Sequence, residues 1–126
     1  MKTALAALII LFPLSAEAKV KLFNGTYSTK EACDWSKLPS KDQNTPESDK
    51  YAFIDGESMN GWGWRCEFLN GWRASNGDIS VIAACAWEAD AWTDTYLIRR
   101  YIDGYRVMEK RPDGTTNIIK FPVRCE

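Results

Sequence analysis

Beyond residue 60, apolar and polar positions alternate along much of the chain. Trp62, Trp64, Cys66 and Phe68 share one face of an extended segment, with Arg65 and Glu67 on the other. Ile79, Val81, Ala83, Cys85 and Trp87 form a matching face. Ile119, Phe121, Val123 and Cys125 form a third, with Lys120 and Arg124 opposite. A period of two is the mark of half-buried strands. The dipeptides Asp55-Gly56, Asn60-Gly61, Asn70-Gly71, Asn76-Gly77, Asp103-Gly104 and Asp113-Gly114 punctuate these runs. Such pairs tolerate the positive φ of tight hairpins, so the chain reads as an antiparallel meander.

Before the meander the pattern differs. Val20 to Phe23 reads as a short first strand, with a turn at Asn24-Gly25. Ser28-Thr29-Lys30-Glu31 has capping-box spacing, which predicts a short helix over Thr29 to Lys37 that Pro39 ends. Ala32, Cys33 and Trp35 would form its buried side. Residues 39–50 carry two prolines and no large apolar side chain, and read as a mobile surface loop. The opposite face of the Ser80 to Glu88 strand carries Ile82, Ala84 and Ala86, so something must cover it. The short helix is the first candidate and a partner protein the second.

The first residues place the protein in a compartment. Lys2 precedes an apolar run from Ala4 to Leu14, and Ala16-Glu17-Ala18 supplies small residues for cleavage after Ala18. This is a secretory signal, too short to span a bilayer as a helix, and of the plain kind that suits bacterial export. The expected mature chain is one domain from Lys19 to Glu126, without membrane insertion, in the periplasm or secreted. Its four cysteines all lie beyond the signal and none forms a C-x-x-C. Two structural disulfides follow, and strand faces favour Cys66–Cys85 with Cys33–Cys125. A hairpin centred on Asn76-Gly77 would set Cys66 opposite Trp87, so an irregularity near Asn70-Gly71 must absorb two residues. Cys33–Cys66 with Cys85–Cys125 remains open.

The expected fold is mainly β: a small antiparallel barrel or sandwich of six to seven strands, one short N-terminal helix and two disulfides.

Chemistry narrows the function. The chain contains no histidine, which removes Ser-His-Asp and Cys-His catalysis and a common metal ligand. A net charge of −1 without a basic block argues against nucleic acid. Glu67, Glu88, Asp90 and Asp94 offer a carboxylate pair of the glycosidase kind, and Glu88, Asp90 and Asp94 a loose cation site, but neither has signature spacing. No cofactor motif or metal site is expected. Six tryptophans are the conspicuous excess. Trp62, Trp64 and Trp87 share the cysteine faces and read as core. Trp72 and Trp92 sit near turns and read as exposed binding residues. Arg99-Arg100 and Arg106 to Arg111 flank one hairpin and could dock an acidic partner.

The order Gly25-x-Tyr27, Cys33, Arg65-Cys66-Glu67, Cys85 and Arg124-Cys125 resembles a group of small exported periplasmic proteins of α-proteobacterial type, most without assigned function. Size and β-rich architecture are also similar to periplasmic inhibitors of lysozyme and proteases. The S-G-x-x-Y loop of C-type lysozyme inhibitors has no counterpart, since Ser75-Asn76-Gly77-Asp78 lacks the tyrosine, so no inhibitory residue is carried over. The expected function is a non-enzymatic binding module whose partner is an envelope or secreted protein. Glycan or peptidoglycan binding through exposed tryptophans is the first alternative, and a small hydrolase using Glu67 or Glu88 the second.

Overall fold

A computed structural model describes residues 20–126; the predicted signal, residues 1–18, lies outside them. Among the described residues, nine strands form one antiparallel sheet. They are β1 (Thr26–Ser28), β2 (Ala52–Ile54), β3 (Ser58–Gly61), β4 (Trp64–Arg73), β5 (Ile79–Trp87), β6 (Asp90–Tyr101), β7 (Gly104–Lys110), β8 (Thr116–Phe121) and β9 (Val123–Cys125). One helix, α1 (Lys30–Ser36), lies between β1 and β2. The strand order is β8-β7-β6-β5-β4-β3-β2-β1-β9. The two edges, β8 and β9, are adjacent in the chain and separated only by Pro122. Proline cannot donate to a ladder, so one extended stretch pairs with β7 before it and with β1 after it. That switch brings the sheet round into a nearly closed barrel. The strand count exceeds the expected six to seven because β1 and β2 have three residues each, too short to show alternation, and because Pro122 divides the C-terminal alternating run into β8 and β9.

Inward positions form one core that includes Ile54, Met59, Phe68, Val81, Ile98, Val107 and Phe121. The N-terminal segment fills one end of the barrel. Val20 to Phe23 is not a strand, contrary to expectation. Its Leu22 amide donates to the Gly56 carbonyl at 2.8 Å, and Leu22 and Phe23 pack against the core. The Phe23 ring stacks on Tyr105 with centroids 4.1 Å apart, and Tyr27 meets Tyr105 edge-on at 5.0 Å. Gly71 provides room for this plug, since a Cβ there would lie 2.6 Å from Leu22 Cδ2. Asn70-Gly71 therefore lies within β4 and is not the expected turn; Asn60-Gly61 likewise lies in β3, and the chain reverses at Trp62-Gly63.

The capping box does not form. Thr29 is the N-cap and its hydroxyl accepts from the Ala32 amide at 3.2 Å. Ser28 ends β1 and its hydroxyl donates to the Ala52 carbonyl. The helix lies on β1 and β9, not on β5, with Ala32 and Cys33 buried beneath it. The outer face of β5 is thus left uncovered by α1. Residues 39–50 are a surface segment with two 3-10 turns, Ser40–Asp42 and Ser48–Lys50. The segment is tied to α1: Trp35 Nε1 donates to the Gln43 carbonyl at 2.9 Å, and Gln43 Nε2 donates to the Leu38 carbonyl at 3.0 Å.

The disulfides join Cys33 to Cys125 and Cys66 to Cys85, which implies an oxidising, extracytoplasmic environment. Cys66 faces Cys85 directly in the β4–β5 register. The required two-residue correction is divided. One residue is taken up at Leu69, where Phe68 pairs with Ala83 and Asn70 with Ile82. The other is taken up in the five-residue turn Ala74–Asp78, closed by Ala74 N donating to Asp78 O at 2.7 Å.

Asp78 also clamps this end of the barrel. Its carboxylate accepts from Arg99 Nε at 3.0 Å and from Nη2 at 2.6 Å. That guanidinium holds the Asp78 carboxyl below the usual carboxylate range. A depressed folded-state pKa means the folded form binds fewer protons. The contribution is complete above the unfolded carboxylate pKa of about 4 and is lost as pH falls through the lower folded value. The stability gap between the native chain and Asp78→Asn is therefore expected to close as pH drops below about 4. Urea unfolding at a series of acidic pH values checks it; a gap constant with pH removes the clamp from the account.

Candidate functional site

The six tryptophans separate into three places. The sheet register decides which face each one occupies.

Trp72 is on the outer face. It pairs with Ser80, Ser80 with Leu97, Leu97 with Met108, and Met108 with Ile118. These five positions form a row across β4 to β8, with Ile82 beside it and Leu69 exposed at the bulge. Trp72 is 53% exposed. The next outward row toward the plugged end is Arg99, Arg106 and Lys120, and on the other side Lys110 pairs with Thr116. Trp72 and Ile118 are exposed at the ends of the row, Leu97 and Met108 are half-buried, Ser80 interrupts the apolar positions, and basic residues lie on either side. Asp78 neutralises Arg99. The Nε of Arg106 is buried without a hydrogen-bond partner among the described residues. The basic stretch seen in the sequence does not form one patch, because Arg100 lies on the other face of the sheet, its guanidinium 4.8 Å from the Tyr105 ring.

Trp92 lies elsewhere. It pairs with Cys85 on the inward face, at the end of the barrel opposite the plug. Trp72 and Trp92, both expected to bind, are both exposed but occupy opposite faces of the sheet. Trp64 and Trp87 form a cross-strand pair beside Trp92. With Tyr96, Met59, Ile119, Glu109 and Cys66 they line a pocket of about 190 Å³. The core assignment of Trp62 and Trp87 fails: they are 65% and 52% exposed, and Trp64 is half-buried. Trp87 has inward parity but stands at a strand end and so faces the barrel mouth, while Trp62 lies in the β3–β4 turn outside any strand.

The third place is a cleft between residues 40–51 and the outer side of β2 and β3. Trp35, Tyr51, Phe53 and Trp62 supply its aromatic surface; Ser40, Gln43, Asn44, Ser48 and Asn60 supply polar groups. Its volume is about 370 Å³ and no charged residue among those described lines it.

Glu67 and Glu88, singled out in the sequence, stand apart along the sheet. Glu67 is an exposed outer residue whose Oε1 accepts from Arg65 Nε at 3.2 Å. It pairs across from Ala84, and Glu88 lies four residues further along the chain in the β5–β6 turn. Four strand residues separate their backbones by roughly 13 Å. Asp90 is exposed at the start of β6. Asp94 pairs with Ala83 on the inward face, near the mouth. No group of three or more acidic or cysteine side chains suited to a metal ion occurs among the described residues.

Glu109 was missed in the sequence, although its parity with Tyr105 and Val107 along β7 points it inward. Burial, and after it the charge of Asp94, pushes the Glu109 carboxyl above the usual range. Burial also raises the Tyr96 phenol, helped by Asp94 and Glu109. The Tyr96 hydroxyl lies 3.5 Å from Cys85 Sγ and 3.7 Å from Cys66 Sγ. The disulfide therefore forms the floor on which the mouth is built. Compared with known protein families, curated proteins and solved structures, the chain matches none.

Proposed function

We propose that this chain is an exported, non-enzymatic binding module of the bacterial envelope, periplasmic after signal cleavage, that docks another protein. The carrying observation is the outer strip from Trp72 to Ile118. The core is complete on the inner face, so the strip's exposed apolar side chains are not needed to fill it. Their arrangement across five strands, apolar side chains flanked by basic ones, suits a protein interface. Arg106, Lys110 and Lys120 fit a partner face with an apolar centre and acidic surroundings, and their long-range attraction would speed encounter.

The uncharged cleft supports a second reading, binding of a neutral glycan. Sugar rings stack their C–H faces on indoles while amides and hydroxyls take the ring hydroxyls. The residue that would carry it is Trp62, in place of Trp72 or Trp92.

The two readings separate in one experiment. The mature chain, immobilised, is expected to retain an acidic envelope protein. That retention should weaken with salt, and should fall at least tenfold in Trp72→Ala and in Lys110→Glu/Lys120→Glu, with circular dichroism unchanged. A tenfold loss corresponds to about 1.4 kcal/mol, well within the range for a central aromatic anchor. Binding that survives Trp72→Ala but is lost in Trp62→Ala would move the assignment to the cleft.

A further inference from the structure

We propose that the open end of the barrel binds one small organic ammonium cation, of the trimethylammonium kind, at a site separate from the docking strip. Three observations meet there. The walls are aromatic: Trp64, Trp87, Trp92 and Tyr96 line the pocket. Glu109 is the one charged residue in its lining among the described residues, and Asp94 is near it on the neighbouring strand. The pocket's volume of about 190 Å³ suits a single headgroup and lies below the roughly 300 Å³ where sites for larger ligands begin.

Each observation selects against other ligands. An anion would meet Glu109 and the negative faces of the indoles. A neutral apolar group would fill the space but leave the carboxylates without a counter-charge. An alkylated ammonium presents a soft, weakly hydrated positive surface to the ring faces and stays close to the carboxylates. The mouth is also already shaped. The Trp64 indole lies against Gly61, where a Cβ would come 2.4 Å from its Nε1. Trp87 lies over Gly63, and the Cys66–Cys85 bond fixes the two strands that carry these indoles. Pre-set walls reduce the entropy lost on binding. Asp90 to Thr95 extend past the end of the β6–β7 ladder, which begins at Tyr96, so the Trp92 side of the mouth is reachable. Asp94 raises the Glu109 carboxyl, and a bound cation would offset the repulsion between the two.

The same cation could arrive free or at the end of a lipid headgroup, and the test separates these. The mature protein is titrated with choline, read by indole emission and calorimetry. Saturable binding is expected. Its uncharged isostere, 3,3-dimethyl-1-butanol, should bind at least tenfold more weakly. Glu109→Gln and Trp92→Leu should each weaken choline at least fivefold, with thermal unfolding recorded for both variants. Co-sedimentation with phosphatidylcholine vesicles but not phosphatidylglycerol vesicles, competed by free choline, would assign the headgroup; choline binding without sedimentation would assign the free cation. Equal affinity for the isostere, or no saturable response to choline and no vesicle retention, overturns the proposal. Because Trp72 takes no part, a negative result here leaves the docking reading to its own test.

Discussion

Replacing Cys33 and Cys125 together by alanine is expected to lower the unfolding free energy by about 4 to 5 kcal/mol. The bond spans a sequence separation of 92, against 19 for Cys66–Cys85. A cross-link restricts the unfolded chain roughly with the logarithm of the loop it closes, so the shorter bond contributes about 3 kcal/mol on the same reasoning. The native side enlarges the contrast. β9 has three residues and pairs only with β1. The seven-residue helix is far too short to be stable alone. Cys33–Cys125 ties these two weak elements to each other at the point where the sheet closes. Cys66–Cys85, by contrast, lies within the long β4–β5 ladder, with backbone pairs on both sides of it that already hold the strands.

Urea unfolding followed by tryptophan emission checks this. A small domain typically has 5 to 15 kcal/mol in total, so the Cys33→Ala/Cys125→Ala chain should be close to unfolding at 37 °C. Its melting temperature should drop by roughly 20 °C. A loss under 1 kcal/mol would mean that Pro122 and the core close the barrel unaided.

How much of this was legible in the sequence depended on what each signal encodes. Alternation encodes the side of a sheet, so the inward placing of Cys66, Phe68, Val81 and Ile98 could be read or inferred. The mismatch between Cys66 and Cys85 could be counted, because register is arithmetic. Its division between Leu69 and the Ala74–Asp78 turn could not, because both sites absorb one residue with similar chemistry. Alternation does not encode distance along the barrel. Trp87 has the parity of Cys85 yet stands at the mouth, and Glu109 has the parity of Val107 and faces the same pocket. The helix was legible from the hydroxyls at Ser28 and Thr29 and the stop at Pro39, but its docking on β1 and β9 depends on the Cys33–Cys125 bond and on a strand order that no local pattern fixes. The pairs Asx-Gly were read as one signal although glycine serves two purposes. At Gly77 and Gly114 it permits positive φ; at Gly61 and Gly71 it leaves space for a side chain.

Gly104→Ala exploits that difference and is expected to cost about 3 kcal/mol, at the upper end of the usual range for overpacking. In the Asp103-Gly104 turn, the residue at positive φ is Ile102, at 53°, and not the glycine. Gly104 is buried at the start of β7, where a Cβ would stand 1.9 Å from the Phe121 carbonyl oxygen and 3.0 Å from the Pro122 carbonyl carbon. Both neighbours are backbone, so no rotamer change relieves the overlap. Relief requires the β6–β7 turn to move off the Phe121–Pro122 step, which would strain the 3.1 Å hydrogen bond from the Asp103 amide to the Pro122 carbonyl. That step is where β8 becomes β9, and the fully buried Phe121 side chain is seated there. Gly114→Ala is the matched comparison. Gly114 has φ of 86° and nothing within 4 Å of the added Cβ. Its cost is the left-handed backbone alone, about 1 to 2 kcal/mol. Denaturant unfolding of the two variants should rank Gly104→Ala clearly below Gly114→Ala, and the damaged chain should exchange its β8 and β9 amides faster. Equal losses would mean that both glycines serve only their turns and that the Phe121–Pro122 seam yields easily.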